Sequence, residues 1–239
     1  MEKAKVHTHL VPVGFSSAKL IESLKQFPIH KIILLTHKGD EEHEDVQAAI
    51  SDISQAFKSF EVQGRVVDRE NVIDSSLQIL NIMEQEVREG NTVKINISGG
   101  LRNIGISAYI VSLVSDVPIY TDIPKYAGKD SYQLKGILDI PLFPIKDLPK
   151  EQIVMLEEIG DGVGSVDELI FRLKPELEKG TTDFGNERSR LSHHIRKLSN
   201  VGFIETEKYS KNLAIRKSKL GEIYLKGREI KRLMKKSAD

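Results

Sequence analysis

The sequence contains no cysteine and no tryptophan among its 239 residues. Without cysteine, disulfides, zinc–thiolate sites and cysteine nucleophiles are all excluded. Long hydrophobic runs are also missing, because the longest apolar stretches fall far short of the ~20 residues that a helix needs to cross a bilayer. The N-terminus shows no secretory signal pattern. We therefore expect a cytoplasmic protein that has no membrane partner.

Net charge is absent from the chain as a whole, but not from its parts. The 35 Lys and Arg residues balance the 35 Asp and Glu residues, in a composition that is 39% hydrophobic and typical of a globular protein. Residues 188–236 nevertheless hold 15 basic and 4 acidic residues, a net charge of +11, and the rest of the chain carries −11. This asymmetry indicates a nucleic-acid partner for the C-terminal part.

Short apolar runs alternate with amphipathic segments over the first half of the chain. Residues 32–36 form a continuous β-branched and leucine run, which is typical of a strand buried on both faces. Residues 41–60 carry apolar side chains at helical spacing. The repeated strand–helix order predicts an α/β fold, a Rossmann-like, mostly parallel sheet with helices on both faces. We assign this domain to residues 1–145, because prolines break the rhythm beyond residue 123.

The second half is rich in helical patterns, and we assign residues 146–239 to a second domain. Ser165 and Glu168 have the spacing of a capping box at the start of a short helix. A basic helix is predicted over residues 186–200, followed by two strand-like segments and a final helix that begins near Ser218. Three helices, a two-stranded wing and a last helix are the order of a winged helix-turn-helix domain.

Residues 96–103, Asn-Ile-Ser-Gly-Gly-Leu-Arg-Asn, lie where a predicted strand ends and a helix begins. Paired glycines let the backbone turn tightly and approach a ligand, and the free N–H groups of a helix start attract anions. Arg102 can add a bidentate donor. A plain strand–helix turn would also explain the glycines. The motif is neither GxGxxG nor a Walker sequence, so NAD binding and ATP hydrolysis are not indicated.

Residues 13–17 and 36–40 are expected at the same edge of the sheet, because each follows a strand. Each alone is typical of an ordinary turn, with Ser16 as a helix cap, but together they predict a polar pocket. The candidate ligand-binding residues are Gly14, Phe15, Ser16, Thr36, His37, Lys38, Asn96, Ser98, Gly99, Gly100, Leu101, Arg102 and Asn103. We interpret His7 and His9 as packed or solvated and predict no metal site, since no paired carboxylates accompany them.

The basic helix and the wing supply the candidate DNA-binding residues. Arginine can read guanine edges, and serine and lysine can hold phosphates. On the helix these residues are Arg188, Ser189, Arg190, Ser192, His193, Arg196 and Lys197, and on the wing they are Lys208, Tyr209, Lys211 and Arg216. A solvated basic helix is the plain alternative. Arg188 and His193 also match the Arg-x4-His spacing of HEPN-type ribonucleases, whose fold would need a long helical bundle.

The combination resembles the archaeal regulators that join a CRISPR-associated Rossmann-fold (CARF) sensor to a winged helix. Residues 96–103 are similar to the family's Asn-x-Thr-Gly-Gly-x-Lys/Arg motif, with Ser98 in the threonine place and Arg102 in the basic place. Residues 14–16 add to the likeness. Residues 193–205 resemble the broad MarR/ArsR-type winged-helix group.

The resemblance implies a homodimeric, CRISPR-associated transcription regulator that binds double-stranded DNA, needs no cofactor and is not an enzyme. The implied regulatory ligand is a cyclic oligoadenylate, most often cyclic tetra-adenylate. Residues Ser98, Gly99, Gly100 and Arg102 would cradle its phosphates, and Gly14, Phe15, Ser16 and Thr36 would line base and ribose pockets. Some CARF proteins slowly cleave such rings, so a ring nuclease stays an alternative beside the HEPN-type ribonuclease.

Overall fold

The computed structural model describes residues 6–68, 70–100, 102–126, 132–142, 147–209 and 212–236. It divides into two compact units, one formed by Met1–Ile145 with Lys226–Asp239 and the other by Lys146–Leu225. Within the described ranges, none of the helices combines the length and apolar character that a membrane crossing requires.

A six-stranded sheet forms the centre of the first unit, in the order β3-β2-β1-β4-β5-β6. The first five strands in this order are parallel and β6 is antiparallel to β5. The chain order reverses between β1 and β4, which is the switch point where ligands of such sheets bind. The strands are β1 (His7–Pro12), β2 (Lys31–His37), β3 (Glu61–Val67), β4 (Thr92–Asn96), β5 (Ile119–Tyr126) and β6 (Tyr132–Asp139).

Helices cover both faces of this sheet, so the predicted Rossmann-like fold is confirmed. On one face, Ile32 and Leu34 of β2 pack in a core with Leu20 and Ile53. On the other face, Glu86 reaches the sheet, where its carboxylate pairs with Lys31 of β2. The helices are α1 (Ala18–Leu24), α2 (Glu44–Ala56), α3 (Val72–Arg88) and α4 (Arg102–Ser115), with a short 3-10 turn at Asp40–Glu42 before α2.

The second unit contains three helices and a two-stranded antiparallel sheet, followed by the beginning of a last helix. Val163 adds an isolated antiparallel bridge to Ile215 at the edge of the sheet. The Ser165 side chain accepts from the Glu168 N–H, and Glu168 accepts from the Gly164 N–H. The elements are α5 (Lys150–Ile159), α6 (Val166–Leu173), α7 (Thr182–Asn200), β7 (Ile204–Tyr209), β8 (Asn212–Lys217) and α8 (Lys219–Lys236).

The last residues differ from the predicted division, which assigned all of 146–239 to the second domain. Residues 226–239 group with the first unit, because Lys226 pairs with Glu84 at 2.9 Å and Lys231 pairs with Asp116 at 2.6 Å. The division therefore falls within α8. The start of α7 also differs from the predicted residue 186, since the side chain of Thr181 caps the helix four residues earlier.

Candidate functional site

The loops that follow β1 and β4 touch each other at their glycines. A Cβ added at Gly14 would lie 3.1 Å from the Cα of Gly100, and one added at Gly100 would lie 2.5 Å from the Cβ of Pro12. Gly100 also has a φ of +87°, in the left-handed region that favours glycine. At Gly99, a Cβ would come within 2.9 Å of Leu20. The glycines thus allow a close approach that brings two of the predicted segments together.

Asn96 and Ser98 hold this turn from inside. Asn96 is fully buried; its amide donates to the Ser23 hydroxyl at 2.8 Å and its carbonyl oxygen accepts from the Ser98 N–H at 2.9 Å. The Ser98 hydroxyl accepts from the backbone N–H of Asp122 in β5 at 2.9 Å. These two side chains therefore fix the β4–α4 turn to α1 and β5, and the motif serves to position the backbone.

The exposed part of this edge is formed by other residues. Phe15 is 57% exposed, with its ring 4.7 Å from that of His43, and Ser16 beside it is exposed. Arg102 and Asn103 lie exposed in the first turn of α4. Arg102 makes no ion pair or hydrogen bond with the residues that the structure describes. Leu101 lies outside the described residues.

The end of β2 contributes a buried polar group. Thr36 and His37 are buried, and Lys38 is exposed. The His37 backbone N–H donates to Asp40 at 2.9 Å, whereas neither ring nitrogen of His37 has a hydrogen-bond partner within the described ranges. Thr36 and His37 end β2, the strand next to β1, and Lys38 follows it. They therefore lie at the same edge as the Gly14–Gly100 contact, without a described contact to Gly100.

His7 and His9 point to other partners. His7 Nδ1 lies 2.7 Å from the Thr92 hydroxyl, and His9 Nδ1 lies 2.8 Å from the Tyr120 hydroxyl. Burial, assisted by the charge of Lys94, lowers the pKa of His9 to about 4, so its ring is neutral at neutral pH. In the part of the chain that the structure describes, no cluster of three or more metal-binding side chains occurs.

Helix α7 separates an apolar face from a basic one. Phe184, Leu191, Ile195 and Leu198 are buried in the core of the second unit. The opposite, exposed face carries the predicted DNA-binding residues Arg188, Ser189, Arg190, Ser192, His193, Arg196 and Lys197. The structure thus brings the seven predicted helix residues onto the solvent side of one helix.

These basic side chains fall into two groups. Arg188 pairs with Asp167 at 3.3 Å, and Arg190 pairs with Glu187 at 2.6 Å and also contacts Glu151. Both arginines therefore tie α7 to acidic groups of its own unit. The side chains of Arg196 and Lys197, by contrast, make no ion pair or hydrogen bond within the described ranges, so their charges face solvent.

The Arg-x4-His spacing does not gain support from this arrangement. Arg188 is engaged by Asp167, and α7 is followed by the strands β7 and β8 rather than by the further helices of a bundle. The HEPN-type alternative is therefore not favoured.

The β7–β8 hairpin presents a mixed surface. Lys208 and Tyr209 are exposed near its tip, and a hydrogen bond with Glu207 raises the pKa of Tyr209. Arg216 is paired across the strands with Glu205 at 2.9 Å. Lys211 lies outside the described residues. Lys208 and Tyr209 are thus exposed and, unlike Arg216, do not pair with a carboxylate of the facing strand.

The sequence analysis missed three residues that hold the β4–α4 turn. The Ser23 hydroxyl accepts from the Asn96 amide, and the Asp122 N–H donates to the Ser98 hydroxyl. The Tyr132 hydroxyl donates to the Asp122 carboxylate at 3.1 Å. No local pattern marks these residues, because they lie on α1, β5 and β6 and meet only in the folded sheet.

The family described as HFX_2341_N:-like, N-terminal, matches residues 7–126 of the chain. An uncharacterized protein of Archaeoglobus fulgidus is 27% identical over 225 residues, which cover 91% of this chain and 96% of that protein.

Three solved structures have similar but distant folds. Csm6 of Enterococcus italicus bound to cyclic hexa-2'-fluoro-hexa-dAMP is 8% identical with a TM-score of 0.43, over 82% of this chain and 55% of Csm6. Protein VC1899 of Vibrio cholerae is 14% identical with a TM-score of 0.42, over 95% of this chain and 66% of VC1899. Can2 of Sulfobacillus thermosulfidooxidans in complex with cyclic tetra-adenylate is 15% identical with a TM-score of 0.41, over 96% of this chain and 62% of Can2. The chain spans less than two thirds of each.

Proposed function

The chain belongs to the HFX_2341_N:-like, N-terminal family, and we propose that it is a DNA-binding transcription regulator whose first unit senses a cyclic oligoadenylate. The observation that carries this proposal is the exposed face of α7, where Arg196 and Lys197 remain unpaired among the described residues while the opposite face packs in the core. A helix anchored in this way presents its charge to a partner, and a polyanion is the partner that matches it.

The second unit, in this proposal, is a winged helix. The order α5, α6, α7, β7, β8 supports it, as does the bridge between Val163 and Ile215, which supplies a short third strand. Helix α7 would then enter the major groove and the β7–β8 hairpin would lie on the adjacent backbone. Arg196, Lys197 and His193 are the candidate base and phosphate contacts. Arg188 and Arg190 orient the helix through their ion pairs.

The proposed ligand site lies at the Gly14–Gly100 contact. Bare glycine backbone, the start of the 14-residue helix α4 and an unpaired Arg102 form a surface suited to phosphate. His37 contributes a buried imidazole to the same edge of the sheet. Cyclic tetra-adenylate is proposed from the likeness of residues 96–103 to the CARF motif. We propose that the site binds this ligand without cleaving it.

The proposed mechanism requires a homodimer. Two copies of α7 bind tightly only if both enter major grooves about one DNA turn apart. A ligand bound by the first units of both copies changes the free energy of the dimer arrangement in which the two α7 helices have this spacing. The affinity for DNA then changes by the same coupling free energy.

The test is a gel shift with the DNA upstream of the gene. Arg196→Ala should weaken binding about fivefold or more, because a base contact by arginine is worth about 1–3 kcal/mol. The matched control is Lys58→Ala, which removes one exposed charge from the first unit and should leave affinity nearly unchanged. Equal affinities for Arg196→Ala and wild type would remove α7 from DNA binding. Incubation with cyclic tetra-adenylate and analysis of the products separates a sensor from a ring nuclease.

A further inference from the structure

A cavity of about 380 Å³ opens at the amino ends of β1 and β4 in the first unit. The Gly14–Gly100 contact lies at the opposite, carboxyl ends of the same strands, so the two places are separate. The volume falls in the range of pockets that enclose small molecules, which is about 300–1,000 Å³.

Most of the cavity wall is aromatic or apolar. Phe27 and His9 face each other with ring centroids 5.6 Å apart, and Val87, Pro118 and Met234 complete the apolar surface. The Nδ1 of His9 is already engaged by the Tyr120 hydroxyl. Such a wall favours a flat apolar body.

Lys94 supplies a cation to this wall. Its Nζ lies 4.5 Å from the centre of the Phe27 ring, and this ammonium group forms no ion pair or hydrogen bond with the described residues. The described lining contains no Asp or Glu. The nearby Glu86 carboxylate is already engaged by Lys31, Thr8 and Asn91. The Lys94 ammonium group therefore has no counter-charge within the described lining, and an anionic ligand can provide one.

We propose that this cavity binds a small aromatic monocarboxylate. The carboxylate pairs with Lys94, and the ring packs against the aromatic and apolar wall to which Phe27 and His9 belong. This site is independent of the ligand site at the Gly14–Gly100 contact, so each can fail without the other.

Indole-3-acetate is a suitable probe, because the protein contains no tryptophan and the indole can be excited at wavelengths that its six tyrosines do not absorb. Titrations of the full-length protein compare wild type, Lys94→Met and the control Lys58→Met. Methionine retains an apolar chain over Phe27 but removes the charge. Indole-3-acetamide, the neutral counterpart of the probe, is titrated against wild type as a test that needs no variant.

We expect indole-3-acetate to bind wild type and Lys58→Met alike, and Lys94→Met at least tenfold more weakly, as for the loss of one charge-assisted hydrogen bond. The acetamide should bind wild type more weakly by a similar factor. Equal binding of the two probes to wild type, or no binding of the acetate, overturns the proposal even if Lys94→Met does not fold. Loss of acetate binding in Arg102→Ala would place the probe at the other site and overturns it as well.

Discussion

At the scale of single residues, Gly100 has the most demanding position in the first unit. Its φ of +87° and the 2.5 Å that would separate an added Cβ from Pro12 leave room for hydrogen only. The proposed phosphate contact depends on this backbone, because any side chain here would push the β4–α4 turn away from the loop after β1.

Gly100→Ala should therefore destabilise the protein by about 1–3 kcal/mol through backbone strain alone, with the steric contact adding to this. Gly105→Ala is the matched control, since Gly105 lies inside α4 with nothing within 4 Å of an added Cβ. It should stabilise the helix by up to about 1 kcal/mol. Thermal unfolding of both variants gives the comparison, and a fall in melting temperature for both, or for neither, would contradict the assignment of strain to Gly100.

The residues of the glycine motif could be identified from the sequence, but the roles of some could not. The motif's position after a strand was enough to place residues 96–100 at the carboxyl edge of the parallel sheet. Asn96 and Ser98 nevertheless use their side chains to hold the turn, and this depends on Ser23 and Asp122, which come from distant parts of the chain. Burial and hydrogen-bond partners of this kind follow from the packing of elements and have no local signal.

At the scale of elements, a buried ion pair ties α3 to the sheet. Glu86 of α3 accepts hydrogen bonds from Lys31 of β2 at 2.7 Å and from Thr8 of β1 at 2.9 Å. Burial alone would raise the pKa of Glu86, but the hydrogen bonds from Lys31, Asn91 and Thr8 outweigh it and hold the pKa below its usual 4.5. The carboxylate is thus more stable in the folded protein than in the unfolded chain.

Glu86→Gln should reduce the free energy of unfolding by up to about 3 kcal/mol at neutral pH, because it leaves the Lys31 ammonium only the exposed Glu61 carboxylate, 3.5 Å away, as a counter-charge. The pKa of Glu86 is lower in the folded protein than in the unfolded chain, where it is about 4.5. The stabilisation by the pair is therefore complete above about pH 4.5 and is lost as the pH falls through the folded-state pKa. Urea unfolding over a pH series checks this. The exposed Glu70→Gln is the control, and a difference from wild type that persists unchanged into strong acid would contradict the account.

Local periodicity predicted the elements well, since the spacing of apolar residues is set within each segment. The strand over residues 32–36 and the short helix after Ser165 appear as β2 and α6. The start of α7 was predicted four residues late, because the first turn after Thr181 is polar apart from Phe184 and its cap involves one hydroxyl. The cap at Thr181 and the burial of Phe184 set that boundary.

At the scale of the whole molecule, the charge asymmetry needs correction. The basic segment 188–236 includes the second half of α8, which groups with the first unit. Lys226 and Lys231 there pair with Glu84 and Asp116, so part of the +11 neutralises the acidic body. Four of the nine basic residues that remain between positions 188 and 225 belong to α7. A count along the sequence cannot make this distinction, because it depends on where the last helix packs.

The most direct test of the central claim is the affinity for upstream DNA, measured by fluorescence anisotropy with and without cyclic tetra-adenylate. Wild type should change its DNA affinity by about 5-fold or more on adding the ligand, as is usual for coupled sites. In the absence of ligand, Arg102→Ala should bind DNA with wild-type affinity. Adding cyclic tetra-adenylate should leave the DNA affinity of Arg102→Ala unchanged, whereas it should change that of the control Arg65→Ala. A wild-type affinity that is the same with and without cyclic tetra-adenylate, or an Arg102→Ala protein that responds fully, would contradict the account.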